Sequence, residues 1–274
     1  MTERDMALRW SRRDLLGLAA AVLGLQSPLA KAQTPKVLRV GFIAHYEPFS
    51  FTDAQGQVTG FDVEVVRALL QSLGMTMTTE AGSFEKLRTM AKAGQLDLIG
   101  NQLLMIPENR VLFDFVRPYA SIQLVCVQHE DDERDFLSLD DFVGKRLGVL
   151  RDSGIEDQAR AALGGRVQGY ARIEQALEDL SQKKIDAVLE ENLIADYHIE
   201  RQNLPLKVGA PFTAPQKIGL ALVKGQKALQ SMLSDGVAEL VRQPVFRRTS
   251  SQWFGYDVSR PRFSHVAAHA AGVD

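Results

Sequence analysis

Apolar residues recur along this chain in two alternating rhythms. Residues 37–43 form a short apolar run that reads as a buried strand. Phe61, Val65, Leu69 and Leu73 then follow at helical spacing, and Gly74 supplies a stop. Residues 75–80 read as a second strand, 84–93 as a second helix ended by Gly94, and 96–100 as a third strand. Residues 50–59 are polar, contain Gly56, and read as a hairpin or loop. The order βαβαβ predicts a parallel sheet with right-handed crossovers.

The pattern then restarts. Residues 122–127 are strongly β-like, 139–143 suggest a short helix, 146–150 a strand and 155–163 a helix. A helix at 173–182, a strand at 185–189 and a helix at 193–200 follow. The last elements are a strand at 218–223 and an amphipathic helix at 228–241. They come after the second unit and need a sheet to join, so the second unit lies inside the first. The acidic run 130–135 reads as a solvated loop, and the stretch after Arg260 lacks periodicity and is expected to be disordered.

The first 32 residues carry a different signal. Ser11-Arg12-Arg13-Asp14-Leu15-Leu16 precedes an apolar run to Leu25, and Ala30-Lys31-Ala32 closes it. Small residues before a cleavage point fit an export signal cut between Ala32 and Gln33, and the paired arginines resemble the twin-arginine type. The apolar run is short for a membrane span of ~20 residues, and no later stretch reaches that length. A periplasmic location follows.

Charge and cysteine narrow the chemistry. The 274 residues hold 32 Lys plus Arg against 34 Asp plus Glu, a net −2, so the basic bias of a nucleic-acid binder is absent. Five of the basic and three of the acidic residues lie in the signal, which leaves the remaining chain at net −4. The single Cys126 excludes an intramolecular disulfide, and it sits in an apolar run that reads as a buried thiol. The five His have no metal-like spacing, and no nucleophile elbow, phosphate loop or dinucleotide fingerprint is present. No cofactor and no metal are expected.

Short motifs in fixed order add to this pattern. Leu38-Arg39-Val40-Gly41, Tyr46-Glu47-Pro48-Phe49-Ser50-Phe51 and Gly60-Phe61-Asp62-Val63-Glu64 open the chain. Gly94-Gln95-Leu96-Asp97-Leu98-Ile99, Asp114-Phe115 with Pro118-Tyr119, Gly144-Lys145-Arg146-Leu147-Gly148-Val149, Asp186-Ala187-Val188 and Gln252-Trp253-Phe254-Gly255 continue it. Together they resemble the polar-amino-acid-type extracellular solute-binding proteins of ABC importers, over nearly all of residues 37–257. Asn101-Gln102 and the run Trp253-Phe254-Gly255-Tyr256-Asp257-Val258 are most similar to the cystine-binding branch.

The resemblance implies an α/β, two-lobed periplasmic-binding-protein fold, its two sheets joined by two crossing strands. Lobe 1 would comprise 37–121 and 217–257, lobe 2 the inserted 125–212, with hinges at 120–124 and 212–218. It implies a monomeric receptor that closes on an amino acid or similar zwitterionic or anionic solute and delivers it to an ABC permease. An enzyme on the same fold, such as a cyclohexadienyl dehydratase with Glu191 or Glu190 as acid, and a binding accessory to another exported system are the alternatives.

An amino-acid site needs an aromatic slot, a cation with backbone N–H groups for the carboxylate, and a carboxylate for the ammonium. Tyr46 and Phe84 fall where the family clamps a ligand between aromatic faces; each could instead be a core aromatic. Asn101 and Gln102 follow the third strand. The family's Thr and Arg positions beyond them read Leu104 and Asn109, with Arg110 one place later. Arg110 either enters the cleft or stays on the surface of the helix that starts at Pro107. Arg151, Ser153 and Gly154 precede a helix whose free N–H groups suit an anion, and Ser153 also reads as a simple cap. Glu191 falls where the family often has an Asp for the ammonium; a helix-start carboxylate is the plainer alternative.

Overall fold

The computed structural model describes residues 36–151 and 153–263. The export signal, its cleavage point and residues 264–274 of the expected disordered tail lie outside the described residues.

Val37–Ile43 (β1) buries Leu38, Val40 and Phe42 and exposes Val37 and Arg39, the alternation of a strand with one covered face. A small antiparallel sheet follows, made of His45–Tyr46 (β2), Ser50–Thr52 (β3) and Val58–Thr59 (β4). Phe61–Ser72 (α1) turns Phe61, Val65, Val66, Leu69 and Leu70 inward, as the 3.6-residue spacing requires. Its start has no side-chain cap. Phe61 N and Asp62 N donate instead to Pro48 O at 3.0 Å and Phe49 O at 2.9 Å, which ties the β2–β3 loop to the helix. Gly60 permits this approach: its φ is 128°, and a Cβ there would stand 2.4 Å from Phe49 O.

Thr76–Gly82 (β5), Phe84–Lys92 (α2, capped by Ser83 Oγ) and Leu98–Leu104 (β6) complete the βαβαβ unit. Both β5 and β6 pair with β1 in parallel. Pro107–Leu112 (α3), Phe113–Phe115 (β7) and Ala120–Ile122 (β8) lead out of it. The second unit runs Leu124–His129 (β9), a 3-10 turn at Leu139–Phe142 where a short helix was expected, Leu147–Leu150 (β10), Gly154–Leu163 (α4), Val167–Tyr170 (β11), Ile173–Ser181 (α5), Ala187–Glu191 (β12), Asn192–Gln202 (α6) and Leu206–Pro211 (β13). Gln216–Val223 (β14), Lys227–Leu240 (α7) and Pro244–Phe254 (α8) close the described chain.

The strands form two larger sheets. One has the order β5-β1-β6-β14-β7, with β8 also on β14; the other is β11-β10-β12-β9-β13. Each combines parallel βαβ strands with antiparallel partners from the crossing segments: β14 runs against β6, and β9 against β12 and β13. The chain passes from the first sheet to the second between Ile122 and Leu124 and returns between Pro211 and Gln216. The outgoing and returning strands pair with each other, Ala120 with Ile218 and Ile122 with Gln216.

Elements that the apolar pattern did not announce have plain physical reasons. β11 is four residues long, β13 carries Lys207, Gly209 and Pro211, and α8 is mostly polar after Pro244. Yet α8 buries Phe246 and Phe254, and Phe254 packs edge-on against Phe61 with centroids 4.9 Å apart. Beyond α8 the chain is held. Tyr256 Oη accepts from Asn192 Nδ2 (3.0 Å) and donates to Asp196 Oδ2 (2.9 Å), and Arg262 pairs with Asp196. The first residues of the tail expected to be disordered are therefore docked on α6.

Gly60→Ala would force a side chain into a left-handed backbone and against Phe49 O. A loss of about 2–3 kcal/mol in urea unfolding is expected. Unchanged stability would show that the β2–β3 loop is not pinned as described.

Candidate functional site

The loop between β1 and β3 places Tyr46. Its ring stands 5.1 Å from that of Phe49, a buried core residue, and its hydroxyl accepts from Gln102 Nε2 at 2.9 Å. Gln102 and Asn101 are adjacent on β6 and serve different ends. Asn101 is structural: Oδ1 accepts from Ile43 N (2.8 Å) and Nδ2 donates to Ser50 Oγ (2.7 Å), fixing the chain that carries Tyr46. Gln102 instead sends its side chain to Tyr46, while its N–H donates to Asp62 Oδ2 at 2.7 Å.

The second sheet contributes Glu190 and Glu191 at the end of β12, facing Val125 and Leu124 of β9. Glu190 Oε1 accepts from Glu191 N at 2.8 Å. Glu191 lies close enough to Tyr46 and Gln102 for each to feel it: its charge raises the Tyr46 hydroxyl, and the Gln102 amide lowers Glu191. Tyr46 of the small sheet and Gln102 of the first large sheet thus meet Glu191 of the second beside the crossing strands. Two buried acceptors in this group, Gln102 Oε1 and Glu191 Oε2, have no hydrogen-bond partner. Such an acceptor costs roughly 1–3 kcal/mol, the order of a lost hydrogen bond.

Burial dominates the electrostatics. It raises Glu191 to about 7, against the lowering effect of Gln102. It raises Glu190 to about 8; the Glu191 N–H opposes this and the Glu191 charge adds to it. It raises Asp62 to about 7, although Tyr119 Oη donates to Asp62 Oδ1 at 2.5 Å and Gln102 N and Asn101 also favour the anion.

The other candidates are placed elsewhere. Phe84 opens α2 with its ring 6.5 Å from Phe113, against the cluster of Leu87, Ile99 and Phe115. Arg110 is exposed; its Nε donates to Met105 O at 2.9 Å and its guanidinium lies 5.6 Å over the Phe115 ring. Asn109 Nδ2 donates to Leu104 O at 2.9 Å. Arg151 donates to Gly169 O at 3.0 Å and borders a surface hollow of 430 Å³ with Tyr170, Asp179 and Lys184. Ser153 caps α4, accepting from Glu156 N and donating to Leu150 O, and Gly154 is exposed at the first turn.

Sequence reasoning left Asp62 and its partner Tyr119 out of the site. The signal was there: a carboxylate in the first turn of α1 flanked by the buried Phe61 and Val63.

Residues 38–256 match the model of the bacterial extracellular solute-binding proteins, family 3. The chain belongs to that family. The L-cystine-binding protein TcyJ of Escherichia coli (strain K12) is 28% identical over 259 residues, 91% of this chain and 97% of that one. The histidine-binding periplasmic protein of Salmonella typhimurium is 25% identical, over 89% of this chain and 97% of that protein. The L-cystine solute receptor of Neisseria gonorrhoeae, in its unliganded open conformation, superposes with a TM-score of 0.72 at 28% identity, over 83% of this chain and 96% of that one. The two sheets and paired crossings of this solute-binding protein are those of the two-lobed periplasmic-binding-protein fold.

The three raised carboxyl groups set a pH response. Each binds its proton more tightly folded than unfolded, so its contribution is greatest at low pH. It is lost as pH rises from about 4, the unfolded value, through 7–8. Glu190→Gln keeps the acceptor for Glu191 N but cannot ionise. Urea unfolding at pH 5, 7 and 9 is expected to show stability falling with pH, and falling less in Glu190→Gln. Parallel pH curves would remove Glu190 from this account.

Proposed function

We propose that this protein is the periplasmic solute receptor of an ABC importer. It captures an amino acid or related small solute bearing an amino group and presents it, enclosed, to a permease. The supporting observation is the meeting of Tyr46 from the small sheet and Gln102 from the first large sheet with Glu191 from the second, next to the strands on which the lobes would turn. A solute held there touches both lobes only when they are together, so the part of its binding energy gained in the closed form alone drives closure. The family and the relatives that bind cystine, histidine or arginine support a binding role over an enzymatic one.

In this reading lobe 1 is 37–121 with 217–257, lobe 2 is 125–212, and the hinges are the pairs around Gln123 and Thr213. Gln123 Nε2 donates to Thr213 O at 3.2 Å, Leu124 N to Thr213 Oγ1 at 2.9 Å and Phe212 N to Leu124 O at 2.7 Å. Export would proceed through the twin-arginine signal, with the mature chain starting at Gln33; intact mass of the exported protein checks this. Tyr46 supplies the aromatic face, Gln102 an amide and Glu191 the partner of an ammonium. Micromolar affinity would correspond to about −8 kcal/mol.

A thermal-shift screen of small amino-bearing solutes, followed by small-angle scattering, tests the reading. At least one solute is expected to raise Tm and contract the radius of gyration. Tyr46→Ala is expected to weaken it at least about tenfold, through loss of the ring face. A folded protein that no small solute stabilises or contracts would overturn the proposal.

A further inference from the structure

Where the two sheets meet, the site offers acceptors. Gln102, 5% exposed, donates one amide hydrogen to Tyr46 Oη, also acts through its amide on Glu191, and leaves Oε1 without a partner. Glu191 Oε2 is equally buried and unpartnered. Glu190 and Asp62 stand behind them, each already accepting from a backbone N–H. On the adjoining crossing strand, Gln123 Oε1 is a third buried acceptor with no partner.

Donor cations are absent from the same place among the described residues. The field at Glu191 comes from burial and Gln102 alone, and no Lys or Arg acts on Glu190 or Asp62. The arginines that sequence placed near the cleft are engaged elsewhere, Arg110 on Met105 O and Arg151 on Gly169 O. Lys217, on the returning crossing strand, is exposed and adds nothing at Glu191. A solute carboxylate seated here would meet no fixed cation among the described residues, and would be matched only while Glu191, Glu190 and Asp62 keep their protons. A solute ammonium would find the donors' natural partners, with the Tyr46 ring as a face for its charge.

We propose that the solute is a small organic cation without a carboxylate, a primary amine or diamine, whose ammonium donates to Glu191 Oε2 and Gln102 Oε1. This rests on the receptor reading above and narrows it from amino acids to amines.

The test uses the exported protein, unfolded and refolded to strip any resident solute, and titration calorimetry with matched pairs. These are cystamine against cystine, histamine against histidine, and agmatine against arginine. At least one amine is expected to bind at least about tenfold tighter than its amino acid. Glu191→Gln, isosteric and without the charge, is expected to weaken that amine at least about 30-fold without lowering Tm. Tighter binding of the amino acids would overturn this inference and leave the receptor reading standing. So would amine binding that Glu191→Gln leaves unchanged. If neither member of any pair binds and no solute of the wider screen contracts the folded protein, the receptor reading fails and the inference fails with it.

Discussion

A peptide group that leaves one sheet for another loses its ladder partner, and a buried N–H or carbonyl must find a new one. That requirement governs the junction of this molecule. Side chains take over where the ladders end: Asn192 Oδ1 accepts from Gln123 N at 2.8 Å, Gln123 O accepts from Asn192 N at 2.9 Å, and the Thr213 hydroxyl accepts from Leu124 N. The crossings are thereby held side by side. Asn192 also opens α6 directly after Glu191, so the residues that satisfy the junction fix the residue that meets Tyr46 and Gln102.

The same economy appears on the first sheet. Asp62 and Asn101 are buried polar residues with their hydrogen bonds largely made, and both hold neighbours of the site in place: Asp62 through Gln102 N, Asn101 through Ile43 N and Ser50. Against that satisfied background the bare oxygens of Gln102 and Glu191 stand out. Polar groups left unpaired inside a protein are uncommon, and these two lie where the two larger sheets meet.

The architecture was legible because strands β1 and β6 and helices α1 and α2 carry their periods openly in Val, Leu, Ile and Phe, and β5 is β-branched Thr and Met between them. The insertion of one unit in the other followed from β14 arriving after the second unit. What stayed hidden was short or polar. β11 and β13 owe their existence to neighbouring strands rather than to their own residues, and α8 shows only Phe246 and Phe254 as inward anchors. Of the candidate site, Tyr46, Gln102 and Glu191 stood out by motif position. Their convergence was not, since it depends on how two sheets meet across about 90 residues of intervening chain. Arg110 and Arg151 looked available in sequence because a side chain's nearest carbonyl cannot be seen there; Met105 O and Gly169 O engage them.

The end of α8 and the residues beyond it tie together helices that pack on different sheets. Trp253 donates to Glu64 on α1 at 3.3 Å, and a few residues on Tyr256 and Arg262 grip Asp196 on α6. Two bodies linked by a single pair of neighbouring strands can twist and shear as well as rotate. In a molecule that turned about those strands as proposed, a third attachment made by side chains rather than by the crossing backbone would restrict twist and shear. Because it is built from a phenol, a carboxylate and a guanidinium it is reversible, as a covalent strap is not, but Asp196 is buried and stripping it of its partners would cost about 3–5 kcal/mol.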